Sequence, residues 1–214
     1  MKLKRSEILA FFVVLVSFGV AFYFYSKVPT VMPAHWNIRG EVDGYLPKFW
    51  GIFLMPLISL AMFLMFLLIP RIDPLKENIE KFRKYFDGFI LLILLFFFYL
   101  YTLTLLWTFG VRFNMTQVLS PAFGLLFLYS GILIENAKRN WFIGIRTPWT
   151  LSNEQVWDKT HKFGGKLFKV SGIICFLGVF VPDISFYLVF IPVFLSAIYI
   201  IFYSYFEYQK EIKR

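Results

Sequence analysis

NWFIGIRTPWTLSNEQVWDKTHKFGGK, residues 140–166, is the stretch on which the architecture turns. It is the longest segment without apolar continuity in a chain that is otherwise greasy on both sides of it. It holds three of the six tryptophans, Trp141, Trp149 and Trp157, and one of the two histidines, His161. A polar island of this length between long apolar runs reads as the main aqueous loop of a membrane protein.

The composition supports that reading. The 214 residues are 59% hydrophobic, 22% aromatic and 16% charged, where a soluble domain carries about 25% charged and about 45–50% apolar residues. A core of ordinary size cannot hide that much apolar side chain, so lipid has to cover the remainder. The single cysteine, Cys175, excludes an intrachain disulfide and sits in an apolar run, where it reads as a packed residue. The net charge of +9 would suggest nucleic acid on a soluble chain. Here the basic residues flank apolar runs, where they set orientation and meet anionic headgroups, so no direct nucleic-acid partner is expected.

Six apolar runs follow in order: Ile8–Tyr25, Phe49–Ile69, Phe86–Phe109, Val118–Ile134, Leu167–Val181 and Ile184–Phe206. A run of 18 residues at 1.5 Å rise crosses most of a hydrocarbon layer about 30 Å thick. The first follows the basic start MKLKR, but lacks the small residues a signal peptidase needs, and is read as an uncleaved span. The fifth is short and carries Gly172 and Gly178, of the kind that mark close helix contacts. With the N-terminus inside, 18 of the 22 Lys and Arg residues fall on inner segments and 4 on outer ones, which satisfies the positive-inside rule. The expectation is an all-α, polytopic membrane protein with six transmembrane helices and both termini cytoplasmic. Residues 1–84 form a first helical pair with an extracytoplasmic loop, 27–48. Residues 85–214 form a four-helix region with a cytoplasmic loop, 136–166. Strands of a β-barrel would alternate polar and apolar over about ten residues, and these runs do not.

The outer loop, KVPTVMPAHWNIRGEVDGYLPK, should fold back as a compact cap. Gly40 and Gly44 permit positive φ, and Pro33 and Pro47 stiffen the chain. His35, Glu41 and Asp43 are a weak metal pattern; Trp36 and Tyr45 serve equally as anchors at the headgroup level. In the inner segment, Pro148 keeps Thr147 out of the helical region, and Thr147–Thr150 is expected to be extended. Ser152 and Gln155 read as a capping box opening a short helix from Asn153 to Phe163, ended by Gly164 and Gly165. Val156, Trp157 and Thr160 share one face of it; Glu154, Asp158 and Lys162 share another. An interfacial helix lying on the membrane is the plain reading. His161 reads as a surface or interface histidine, since no acid or nucleophile accompanies it.

The runs carry almost no ionisable residue; Asp87, Glu135 and Asp183 fall at predicted ends. Coupled carriers place such groups near the midplane, and there is no repeat of interrupted helices. No nucleophile, metal set or cofactor motif is visible, so no enzyme, cofactor or metal is expected. The alternative kept open is a small lipid-handling enzyme or transporter, with Arg146, His161 and Lys162 clasping a phosphate headgroup. A third is an assembly partner without a ligand.

Two segments carry a resemblance. The pattern Pro-x-His-Trp-Asn-x-x-Gly-x-x-Asp-Gly-Tyr over 33–45 and the segment NWFIGIRTPWTLSNEQVWDKTHKFGG over 140–165 are similar to the two signatures of the SdpI family of bacterial and archaeal membrane proteins. The resemblance implies a prokaryotic plasma-membrane protein that gives immunity to a secreted, membrane-disrupting toxin peptide. It also implies a receptor that holds a transcriptional repressor at the membrane when toxin is present. Carried over by position, the outer candidates for binding are Pro33, His35, Trp36, Asn37, Gly40, Asp43 and Gly44. The inner candidates are Asn140, Gly144, Arg146, Thr147, Pro148, Trp149, Thr150, Trp157 and His161. The implied partners are the lipid bilayer, a toxin peptide outside and a repressor inside; the oligomeric state is left open.

Overall fold

The computed structural model describes residues 4–213; Lys2 and Arg214, counted among the basic flanks, lie outside the described residues. Helices α1 (Arg5–Tyr25), α2 (Lys48–Ile72), α4 (Arg83–Thr108), α5 (Met115–Asn136), α7 (Glu154–Leu177) and α8 (Ser185–Ile212) run antiparallel to their predecessors in a bundle. Two short helices, α3 (Lys76–Lys81) and α6 (Pro148–Ser152), lie in the connections. Among the described residues, five helices are long and apolar enough to cross a membrane: α1, α2, α4, α5 and α8. They are apolar around their whole circumference, as helices surrounded by lipid and other helices must be. Helix α7 falls outside that class because its first half is polar.

Two expectations change. The chain is not purely α: the loop after α1 folds into an antiparallel hairpin, β1 (Val31–Trp36) with β2 (Val42–Pro47). Pro33 is tolerated there because a two-stranded ribbon has a free edge on each strand. The helix that opens at Glu154 also does not stop at Gly164 and Gly165, but continues to Leu177. The reason is tertiary. Gly131 and Gly124 of α5 face Gly165 and Gly172 of α7, and a Cβ on Gly131 would stand 2.5 Å from the Gly165 carbonyl oxygen. A Cβ on Gly172 would stand 2.6 Å from the Leu128 nitrogen. The glycines let two backbones touch, which offsets their low helix propensity.

Local signals explain the ends. Asp73 precedes Pro74 and turns extended at ψ 125, closing α2. Asn114 accepts from the Gln117 N–H and starts α5. Helix α7 starts on Asn153, whose side chain accepts from the N–H groups of Gln155 and Val156. The box expected from Ser152 is not formed; the Ser152 hydroxyl donates to the Trp149 carbonyl instead.

The hairpin, Asn114 and the α7–α8 turn share one end of the bundle, joined by bonds from Asn114 to the Arg39 carbonyl and from Gln117 to the Val179 carbonyl. The start of α1, α3, the 137–152 loop and the end of α8 share the other end. There Arg83, 11% exposed at its side chain, binds Glu7 at 2.9 Å, Asp87 and Glu80, and Ser6 donates to Asp87. This cluster ties α1 to α4.

Candidate functional site

At the hairpin end, Asn37 organises the turn. Its Oδ1 accepts from the backbone N–H groups of Arg39 and Glu41, and its Nδ2 donates to Glu41. Gly40 has φ +75, and a Cβ there would run into the Asn114 side chain. Gly44 is extended rather than left-handed. Its role is close approach, because a Cβ on it would stand 2.9 Å from the His35 Cβ. Asp43 accepts from His35 Nδ1 at 2.5 Å, which orients an imidazole that is 72% exposed. Glu41 turns to Asn37 and Arg39. Among the described residues no group of three His, Cys, Asp or Glu side chains could hold a metal ion.

Beneath the hairpin lies a cavity of about 250 Å³. Pro33, His35 and Trp36 roof it. Leu54 of α2, Leu100 of α4, Leu119 of α5 and Phe190 of α8 stand in its walls. It therefore joins the first helices to the last. The Trp36 indole N–H is closed off from solvent and has no hydrogen-bond partner, which costs about 1–3 kcal/mol in an otherwise apolar place.

The opposite end is a folded loop. Asn140, fully buried, uses all of its capacity: Nδ2 donates to the carbonyls of Lys138 and Ile143, and Oδ1 accepts from the N–H groups of Phe142 and Ile143. Asp73 receives the Trp141 N–H at 2.9 Å, and Asn78 donates to the Arg139 carbonyl. Thr147 is extended, as expected before proline, but Pro148 opens a helical turn. Thr147 and Thr150 cap each other reciprocally, and the Thr147 hydroxyl meets that of Ser204 at 3.1 Å. Trp149 packs edge-on against Tyr205.

His161 is buried, not at the surface, and is 1% exposed. Val156, Trp157 and Thr160 are buried with it, while Glu154, Asp158 and Lys162 are exposed. Nδ1–H of His161 donates to the Trp157 carbonyl at 2.9 Å, and Nε2 accepts from the Ile145 N–H at 2.9 Å. The ring stacks on Trp157, whose Nε1 donates to the Ala137 carbonyl. Gly144, at φ +111, brings Ile145 into place; a Cβ on it would collide with His161. Burial pushes the His161 pKa down to about 4, so the ring is neutral. It is a brace, with both nitrogens occupied.

The structure thus separates the two groups of sequence candidates. Pro33, His35 and Trp36 line the cavity, as does Asn37; Gly40, Asp43 and Gly44 shape the hairpin around them. Asn140, Gly144, Thr147, Thr150, Trp157 and His161 hold the loop together. Arg146 remains on the surface beside Trp141 and Phe142, donating to the Trp141 carbonyl. Arg146, His161 and Lys162 do not form one anion clasp, since His161 faces inward. Sequence reading passed over Asp73, Asn78 and Ser204, which carry no motif of their own, and the helix residues that wall the cavity.

Comparison with known proteins agrees with both ends. Residues 136–204 match the model of the SdpI/YfhL protein family, and residues 12–60 match a domain of unknown function, DUF1648. The chain is 27% identical over 207 residues to the Immunity protein SdpI of Bacillus subtilis (strain 168), spanning 96% of this chain and 97% of that protein. No solved structure matches. With five helices fit to cross a membrane and an end-to-end relative of this kind, the chain is a multi-pass protein of the cell membrane that is similar to the SdpI/YfhL protein family over residues 136–204.

Proposed function

We propose that this protein protects the cell that carries it from a membrane-active toxin peptide. The observation that carries the reading is the alignment over 207 residues with a protein named for immunity, which includes the hairpin and the folded loop alike. In this reading the hairpin end faces outward and the folded loop faces the cytoplasm, in line with the basic residues that crowd the loop end. The peptide meets the hairpin, where the imidazole oriented by Asp43 and the exposed Ile38 and Tyr45 are the accessible groups. On the inner side Trp141, Phe142 and Arg146 offer an aromatic and basic patch that suits an acidic face of a repressor. No catalytic step is assigned.

The test is expression in a peptide-sensitive host challenged with a panel of secreted membrane-active peptides. Raised survival against one of them, lost when His35 and Asp43 are both replaced by Ala, supports the reading. No gain against any of them sinks it. Single cysteines at positions 38 and 142, labelled from one side at a time, test the orientation. Labelling of both from the same side overturns it.

A further inference from the structure

The cavity of about 250 Å³ that the hairpin roofs reaches the surface, since Trp50 and Phe190 line it and are 49% and 45% exposed. Its lining joins the two segments with family matches: Trp50 and Leu54 lie within 12–60, and Phe190 within 136–204. An apolar cavity of about 150 Å³ holds a benzene ring, and sites for whole small molecules run to about 300–1,000 Å³. This one therefore has room for a single large side chain. Its depth points to where that side chain comes from. At 1.5 Å per residue, Phe190 lies about 8 Å and Leu54 about 9 Å in from the hairpin-side starts of α8 and α2. An amphipathic peptide on a membrane carries its apolar face about 5–10 Å into the boundary of headgroup and acyl chain. The lining also has polar groups to spare. Nδ1–H of His35 donates to Asp43, which leaves Nε2 of the neutral ring as an acceptor. Thr116 is half-buried in the lining, and its hydroxyl has no partner among the described residues. A peptide link brings both a donor and an acceptor to such a pair.

We propose that this cavity is the pocket that selects the peptide, taking one ring-sized apolar side chain of it, with the adjoining peptide links bonded by His35 and Thr116. The assignment rests on the immunity reading and deepens it, since it names what the hairpin recognises. Buried apolar anchors in such pockets carry most of the affinity of an interface, while the contacts around them mainly exclude water. The exposed hairpin tip then meets the rest of the peptide, and the pocket beneath decides which peptide stays. Because α2 and α8 both line the pocket, an anchored side chain also bridges the first helices and the last.

The experiment has two arms. The first needs no toxin. Ala34 is exposed and belongs to the lining, so Ala34→Cys in the full chain in detergent gives a thiol whose reaction with N-ethylmaleimide reports occupancy. N-acetyl-tryptophanamide, one ring between two peptide links, should slow that reaction, and N-acetyl-alaninamide should not. Adding Thr116→Val should weaken the effect of the tryptophan probe about two- to tenfold, the range of one hydrogen bond. Leu54→Trp fills the cavity and should abolish the effect; if that variant does not fold, Thr104→Phe fills it from α4. Equal action of the two probes, or an undiminished effect in the filled variant, overturns the proposal. So does protection of the thiol by phosphatidylglycerol and not by the tryptophan probe, which would make the occupant a lipid. The second arm uses the peptide against which the protein raises survival. Leu54→Trp should abolish survival, and so should Ala in place of one large apolar residue of the peptide. Survival unchanged by both overturns the pocket and leaves the immunity reading standing, whereas survival raised against no peptide at all sinks that reading and this assignment with it.

Discussion

Acidifying the loop end should loosen it, and His161 sets the size of the effect. The ring is held neutral, with Nε2 accepting from the Ile145 N–H and Nδ1–H donating to the Trp157 carbonyl. A second proton on Nε2 would point at a donor. The pKa falls from 6.5 to about 4 because of burial. A histidine with a lowered folded pKa contributes stability that is complete above its unfolded value, near pH 6.5, and is lost as pH falls toward 4. The full difference of about 2.5 units is worth about 3 kcal/mol at 1.36 kcal/mol per unit. Between pH 7 and pH 5 the loss is about 1.8 kcal/mol, or about 20-fold in the equilibrium that opens the loop. Hydrogen exchange reads this directly. Amide protection at Ile143 and Ile145, corrected for the intrinsic pH dependence of exchange, should drop about 20-fold from pH 7 to pH 5. In His161→Gln, which has no proton to gain, protection should be lower at pH 7 and nearly level between the two. Equal protection of the wild type at both values refutes the reasoning, as does an equal pH-linked loss in His161→Gln.

Other perturbations test the remaining joints. Gly172→Leu places a branched side chain against the Leu128 backbone and the Gly124 carbonyl. It should cost about 1–3 kcal/mol or more, seen as a lowered melting temperature in detergent, whereas Gly19→Leu, where nothing stands nearby, should leave melting unchanged. Arg83→Met leaves Glu7 and Asp87 without their cation and should destabilise by about 3–5 kcal/mol; the triple change Glu7→Gln, Asp87→Asn, Arg83→Met should recover most of that loss in the same melting assay. Asp73→Ala frees the N–H groups of Trp141 and Leu75. It should speed proteolytic cutting between residues 138 and 146 without changing the melting of the bundle, and an uncut loop would show that Asp73 does not tether it.

The apolar runs located five helices to within about three residues at most of their ends, because lipid rewards continuous greasiness and few other folds produce it. The end of α8 ran further, to Ile212, on charged residues that pair with one another and with Lys159. What lay hidden was decided by contacts distant in sequence. Gly164 and Gly165 are a stop signal to any local reading, and only the facing backbone of α5 makes them part of a helix. Ser152 and Asn153 are both good caps one residue apart, and the geometry of the preceding turn chose Asn153. The hairpin was legible only as a folded-back loop, since Pro33 and a register irregularity between Pro33 and Trp36 break the alternation that marks strands.

The same limit explains the two signatures. A motif records that residues matter together but not whether they bind something or hold the chain. Exposure and hydrogen-bond capacity make that division. Asn140 has no donor or acceptor left over, and both nitrogens of His161 are taken, so neither has anything to offer a ligand while the loop is folded. Around the hairpin the balance is opposite: the His35 imidazole, oriented by Asp43, is largely in solvent. A search for ligand chemistry in this chain therefore belongs under the hairpin. Substitutions at the candidate residues of the loop-end signature should register first as loss of fold, with Arg146, the one exposed charge among those candidates, as the position where a binding defect can appear without one.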